Sequence, residues 1–196
     1  MEFNSQYPEI VFDIVSGGNV QDILQYKADI SVASFKSKDT RIVSYSRGRN
    51  VHVPVASRRY IEEHGLPLHP KDLAAHTVLV YDGSVRSATR YLENGDKREE
   101  VKWKQVLRVS NILAIKKSVI DGLGISVDLP LFHCAQEIAS GILVPSLPGW
   151  VHPPVECFVC TSKTNWRIRR HRVFLQWFQM RLVQFFKSKE DMVAPF

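Results

Sequence analysis

The sequence offers little from which to build redox, metal or membrane chemistry. Three cysteines in 196 residues are an odd number, so a complete disulfide framework is not expected. Two of them form Cys157-Phe-Val-Cys160, a spacing that resembles a metal knuckle. That segment reads as a strand, where side chains three apart point to opposite faces, and no second pair lies nearby, so no metal site is expected. No apolar stretch is long enough to span a bilayer, and no basic-then-apolar leader precedes a small-residue cleavage site. Glycine and proline, ten each and scattered, exclude collagen-like and low-complexity chains. G-x-S-x-G, the P-loop and H-E-x-x-H are all missing, so no catalytic residues, no enzyme activity and no cofactor are expected. These absences fit a reduced, cytoplasmic, soluble protein with no membrane partner.

What is present is an apolar fraction of 44%, enough for a packed core, and a formal charge of +6. Part of that excess sits in Arg167, Arg169, Arg170 and Arg172. Such a cluster could meet phosphates, but it opens a helix whose other face is apolar, so a solvated face is expected. Paired carboxylates at Glu62-Glu63 and Glu99-Glu100 also read as solvated.

Strand-like and helix-like segments alternate, which argues an α/β fold. Strands are expected at Glu9–Val15, Asp29–Ala33, Asn50–Ser57, Thr77–Tyr81, Val106–Val109, Ile125–Val127 and Val155–Thr161. Pro54 suggests an edge or a bend in the third of these. Ser16-Gly17-Gly18 turns the chain into a helix capped by Asn19 and running to Lys27. Arg58–His64 is a short helix stopped by Gly65, Leu66–Pro70 is extended, and Lys71–Ala75 adds a helical turn. Ser87–Glu93 and Lys97–Trp103 flank Asn94-Gly95, a type I′ hairpin signal. Pro130 opens a helix to about Ser140, closed by Gly141. The longest helix is expected from Asn165 to about Phe186, with Phe174, Phe178, Leu182 and Phe185 as its buried stripe.

The stretch "VSNILAIKKSVIDGLGISVDLP", Val109 to Pro130, carries the clearest functional signal. Ser110 or Asn111 caps a helix over 111–121, Gly122 ends it in a left-handed conformation, and Gly124 lets the chain pass close to a neighbour. The helix start lies at the carboxyl end of a strand, the edge where open α/β sheets bind ligands and where a helix N-terminus attracts an anion. A plain cap accounts for the same residues without any ligand.

Taken in order along the chain, five motifs resemble the effector-binding (regulatory) domain of LysR-type bacterial transcription regulators. They are "FNSQYPEIVFDIVSGG", "VPVASRRYIEEHGLPLHPKDLAAH", "RVSNILAIKKSVIDGLGISVDLP", "IASGILVPSLPGW" and "RIRRHRVFLQWF". The resemblance implies two Rossmann-like subdomains joined by two crossover segments, like a type 2 periplasmic binding protein. Residues 1–57 with 163–196 would form the first subdomain and residues 58–162 the second. On the family pattern, the helix-turn-helix domain and the first strand of the regulatory domain are not expected within this sequence, so a second chain or a rearrangement is expected to cover the strand's place.

The resemblance further implies a small-molecule effector, a carboxylate or an aromatic acid, bound in the cleft between the lobes. Its expected contacts are Ser34, Phe35, Ser57, Val80, Tyr81, Ser110, Asn111, Gly124 and Ile125. Phe35 would offer an apolar wall and Tyr81 a hydroxyl; ordinary loop and packing roles compete for both. Asp128 can face either the cleft or solvent. A homodimer or higher oligomer is implied, with Ile10–Val15 and helix 111–121 at its interface, and DNA contact only through the absent helix-turn-helix domain. Two alternatives use the same scaffold: an enzyme or small-molecule carrier, and a remnant that no longer senses anything.

Overall fold

The computed structural model describes residues 2–16, 19–83 and 86–193; the expected turn at Gly17-Gly18 lies outside them. In chain order the elements are α1 (Glu2–Gln6), α2 (Val20–Leu24), β1 (Ile30–Ala33), β2 (Ile42–Asn50), β3 (His52–Ser57), α3 (Arg58–His64), a 3-10 turn (Pro70–Ala75), β4 (Thr77–Tyr81), β5 (Tyr91–Asn94) and β6 (Lys97–Glu100). They continue with β7 (Gln105–Val109), α4 (Ile112–Ile120), β8 (Ile125–Pro130), α5 (Leu131–Ala139), β9 (Leu143–Pro145), β10 (Val155–Ser162), α6 (Lys163–Arg167) and α7 (Arg169–Asp191). Two compact units result. Met1–Gly48 with Glu156–Gln184 form one; Arg49–Val155 with Phe185–Phe196 form the other.

The first unit carries a three-stranded sheet in the order β1-β10-β2, with β1 antiparallel to β10. Val20, Ile23, Ala33, Ile42 and Cys160 are its buried core. Asn19 caps α2 in a reciprocal box with Asp22, although the helix closes at Leu24 rather than Lys27. Beside this core, Phe3 is buried among the rings of Tyr7, Phe12, Phe174 and Trp177.

Three departures from expectation here have physical reasons. Glu9–Val15 is not a strand. Its Phe12 turns into the aromatic cluster, 4.7 Å from Phe174, while Val11, Ile14 and Val15 stay 88%, 74% and 77% exposed. β2 was not expected, because "IVSYSRGRN" has apolar residues only at its start and is held by ladder bonds to β10. The C-terminal helix breaks at Ile168, whose ψ of 120° is extended. Ser162 Oγ accepts from Asn165 N, and Asn165 Nδ2 donates to Asp29 Oδ1, which pins α6 in its own direction. The expected stripe on α7 is only half-buried at Phe174, Phe178 and Leu182, Phe185 is exposed, and the buried residue is Leu175. Of the arginine cluster, Arg167, Arg169 and Arg170 are exposed, while Arg172 stacks toward Trp166.

The second unit is built on a five-stranded sheet, β7-β4-β8-β3-β9. β4 runs parallel to β7 and β8; β3 runs antiparallel to β8 and β9. β3 and β8 are buried at every residue, as central strands with both faces covered must be. Leu79, Ile115, Val119 and Leu129 pack one face, and Val78, Val80, Leu73 and Trp150 the other. Pro54 marks a register shift between Val53 and Val55, a bulge inside a central strand rather than an edge. Pro130 ends β8 and precedes α5 instead of opening its first turn. β9 was not expected; three residues carry too little pattern. The hairpin is shorter than expected, and its register pairs Asn94 with Lys97. Its loop is therefore Gly95-Asp96, with positive φ only at Gly95, which excludes type I′.

Gly124 shows why that position tolerates no side chain. A Cβ there would lie 2.5 Å from the Thr77 carbonyl oxygen and 2.8 Å from Leu79 Cδ1. Gly124→Ala therefore forces β8 off β4, and we expect a loss of about 1–3 kcal/mol in urea denaturation.

Candidate functional site

β4, β7 and β8 point the same way, so their carboxyl ends form one edge of the second unit's sheet. Tyr81 ends β4 and Val109 ends β7; Asp82 N donates to Val109 O at 3.1 Å and extends the ladder by one rung. Ser110 and Asn111 follow at once, both exposed. Asn111 Oδ1 accepts from Leu113 N at 2.9 Å and Ala114 N at 3.2 Å, capping α4. The first turn of α4 carries no acid, so its partial positive charge is not neutralised from within. Gly83 fits between two of these groups: a Cβ there would lie 2.7 Å from Tyr81 Oη and 3.2 Å from Ser110 Cβ.

A buried polar cluster supports this edge. Asp128, on β8, is completely buried. Its Oδ2 accepts from Arg86 Nη1 at 2.6 Å and from Thr89 Oγ1 at 2.6 Å. Its backbone carbonyl accepts from Arg86 Nη2 at 3.1 Å. Arg86 Nη1 also donates to Thr89 Oγ1 at 3.0 Å, and the guanidinium carbon lies 5.0 Å from the centroid of the Tyr81 ring. Asp128 therefore faces neither solvent nor an open cleft. A buried carboxylate without a partner is costly, so the chain after β4 folds back to deliver Arg86 to it.

Two histidines adjoin this pair. The rings of His52 and His152 are 4.9 Å apart, and His152 Nδ1 donates to Pro153 O at 2.7 Å. Burial, then the neighbouring His152 and Arg86, pushes His52 down to about 3. Burial also lowers His152, against the opposing pull of its Pro153 bond. Both rings are thus held neutral beside the ion pair.

Of the residues expected from sequence, the structure brings Tyr81, Ser110 and Asn111 together. Four others in this unit are elsewhere. Val80 is buried in the core on one sheet face. Ile125 begins β8 directly after Gly124 and pairs with Val78 near the start of β4, so both sit at the opposite, amino edge. Ser57 ends β3 at that same edge, because β3 runs antiparallel to β8; its Oγ caps α3 by accepting from Tyr60 N. Ser34 and Phe35 follow β1 in the first unit, Phe35 being exposed. Cys157 and Cys160 are buried and form no disulfide. Arg86, Thr89, His52 and His152 were not anticipated. One signal was legible: an aspartate inside the apolar run "ISVDLP" demands a cation. Which cation was not legible, because Arg86 arrives from a loop with no repeating pattern.

The depressed His52 has a stability consequence. Unfolded, it protonates below about 6.5, whereas folded it stays neutral until about 3. The unfolded chain binds more protons between those values, so stability falls as pH drops through that window. The melting temperature should decline from pH 6.5 toward 4, and His52→Gln should flatten part of the slope, because burial also lowers His76, His133 and His152 and these contribute to the same loss.

The architecture around this edge has relatives. The family described as LysR substrate binding domain matches residues 1–182. The HTH-type transcriptional regulator PtxR of Pseudomonas aeruginosa is 30% identical over 179 residues, covering 89% of this chain and 55% of that protein. The regulator CrgA of Neisseria meningitidis serogroup B is 25% identical over 180 residues, 89% of this chain and 59% of its own. The chain spans about half the length of the curated relatives it matches. Among solved structures, the CrgA regulatory domain superposes with a TM-score of 0.77 at 23% identity, covering 92% of this chain and 88% of that one. The regulatory domain of AphB from Vibrio vulnificus gives 0.70 at 22%, over 93% and 87%. The parallel β4–β7–β8 edge, the helix start it presents and the family match over nearly the whole length lead to one assignment: the chain belongs to the LysR substrate binding domain family.

Proposed function

We propose that this chain is the effector-sensing regulatory domain of a LysR-type transcription regulator that acts in the cytoplasm and binds a small carboxylate or aromatic acid without transforming it. One observation carries the reading. The α4 N-terminus lies at the carboxyl edge with no acid in its first turn, next to the Ser110 and Tyr81 side chains that flank Gly83. Anions are stabilised at such a site by peptide N–H groups and the helix dipole together. An enzyme would need a titratable pair poised toward the ligand. Asp128, the acid behind this edge, is instead committed to Arg86 and Thr89, and His52 is kept neutral and buried. In the whole regulator, ligand binding would act on DNA by favouring one arrangement of the protein over another, which requires different affinities for the two.

The direct test is a thermal-shift screen with small carboxylates and aromatic acids. A ligand at about 100 times its Kd should stabilise by about 2.7 kcal/mol through linkage. Ser110→Ala should fold normally and give a smaller shift with the same ligand. A screen with no stabilising ligand, or a shift untouched in Ser110→Ala, contradicts the proposed site.

The same reading includes self-association. The segment 10–15 leaves Val11, Ile14 and Val15 exposed, and Leu113 on α4 is 59% exposed. Apolar side chains in such number are costly to leave in water, and a second copy of this chain is the partner that the family resemblance implies. Light scattering should give a dimer or larger, and Ile14→Lys should shift the mass toward the monomer.

A further inference from the structure

Arg86 has more donors than the cluster behind it uses. A guanidinium offers five N–H groups. Both Nη1 hydrogens are committed, to Asp128 Oδ2 and Thr89 Oγ1, and one Nη2 hydrogen goes to the Asp128 carbonyl. Asp128 therefore grips the end of the guanidinium through Nη1 and Nη2. Among the described residues nothing accepts from Nε or from the second Nη2 hydrogen. Those two hydrogens share one side of the plane and form a fork that matches the two oxygens of a carboxylate. Arg41 shows the same fork filled, with Nε at 3.0 Å and Nη2 at 2.7 Å from the oxygens of Asp39.

The rest of Arg86 is held still. Asp128 is completely buried, Thr89 is buried, and the Tyr81 ring lies 5.0 Å from the guanidinium carbon. The Arg86 side chain itself keeps 18% of its surface. Its backbone carbonyl accepts from Gly83 N at 3.1 Å, and Gly83 abuts Tyr81 Oη and Ser110. Arg86 is thus tied through its carbonyl to Gly83, the residue beside Tyr81 and Ser110. Asp128 cancels most of the long-range charge, so the fork discriminates by hydrogen-bond geometry rather than by net attraction.

We propose that Arg86 is the specificity-determining residue of this edge, receiving the effector's carboxylate on its Nε/Nη2 fork while Asp128 and Thr89 act as positioning residues. The proposal rests on the ligand-sensing reading above and narrows it to an anion with two coplanar oxygens.

The test compares acetate, benzoate and succinate, each beside its neutral amide, by thermal shift on the wild type, Arg86→Lys and Arg86→Gln. Lysine keeps the charge opposite Asp128 but has no fork. At least one acid should stabilise the wild type more than its amide does. Its affinity should fall about tenfold to a hundredfold in Arg86→Lys, the equivalent of one lost charge-assisted pair, and further in Arg86→Gln. Equal shifts from acid and amide, or an acid effect that survives in Arg86→Lys, overturn the fork; a neutral metabolite that still stabilises through Ser110 keeps the sensing reading. No acid stabilising the wild type also overturns the fork. Should either variant fail to fold, the Nε–H resonance of Arg86 in the wild type decides. It should move on adding the acid and stay put with the amide, and an unmoved resonance at saturation overturns the proposal.

Discussion

The carboxyl edge of the second unit depends on one buried charge. β8 is covered on both faces, yet it carries Asp128 with no exposed surface. Stripping an unpaired carboxylate of water costs several kcal/mol, and breaking a buried ion pair by removing one partner typically costs about 3–5 kcal/mol. Arg86, five residues after β4, meets that demand. Arg86 and Thr89 both donate to Asp128 Oδ2, while Oδ1 has no partner among the described residues, and the Arg86 carbonyl accepts from Gly83 N beside Tyr81 and Ser110. Geometry at the carboxyl edge is thus a by-product of solving a desolvation problem in the core.

The parallel run of β4, β7 and β8 supplies the rest. Because these strands point one way, a helix following β7 must start at the edge where β4 and β8 end. Asn111 uses two of the orphan N–H groups of α4 for its cap, and the dipole at that end has no internal acid to meet it. Nearby, two histidines are held uncharged and the acid is tied up in its ion pair. On the reading proposed above, this edge recognises a ligand rather than moving protons, which is the behaviour required of a domain whose output is a change in population.

Much of the second unit was legible from sequence because local and global signals agree there. Arg58–His64 with Gly65 behind it, Thr77–Tyr81, and the Asn111 cap all appear where the residues place them. The first unit was less legible. Glu9–Val15 has the composition of a strand but no neighbour to pair with, and strands are products of pairing rather than of composition. β2 has the neighbour without the composition. At the carboxyl edge, the helix start could be read, whereas Ser57, Gly124 and Ile125 lie at the opposite edge of the sheet, because motif order does not encode strand direction. Arg86 was invisible: a long-range partner 42 residues away in a loop leaves no periodic trace.

The central claim is that ligand recognition occurs at the carboxyl edge held up by Asp128 and Arg86. Backbone amide chemical-shift mapping of the labelled protein, with a stabilising carboxylate at saturation, tests it most directly. The account predicts that the largest changes cluster at Gly83, Arg86 and Ile112 to Ala114. Changes concentrated instead at Ser57 and Gly122 to Ile125, on the opposite edge, would contradict it.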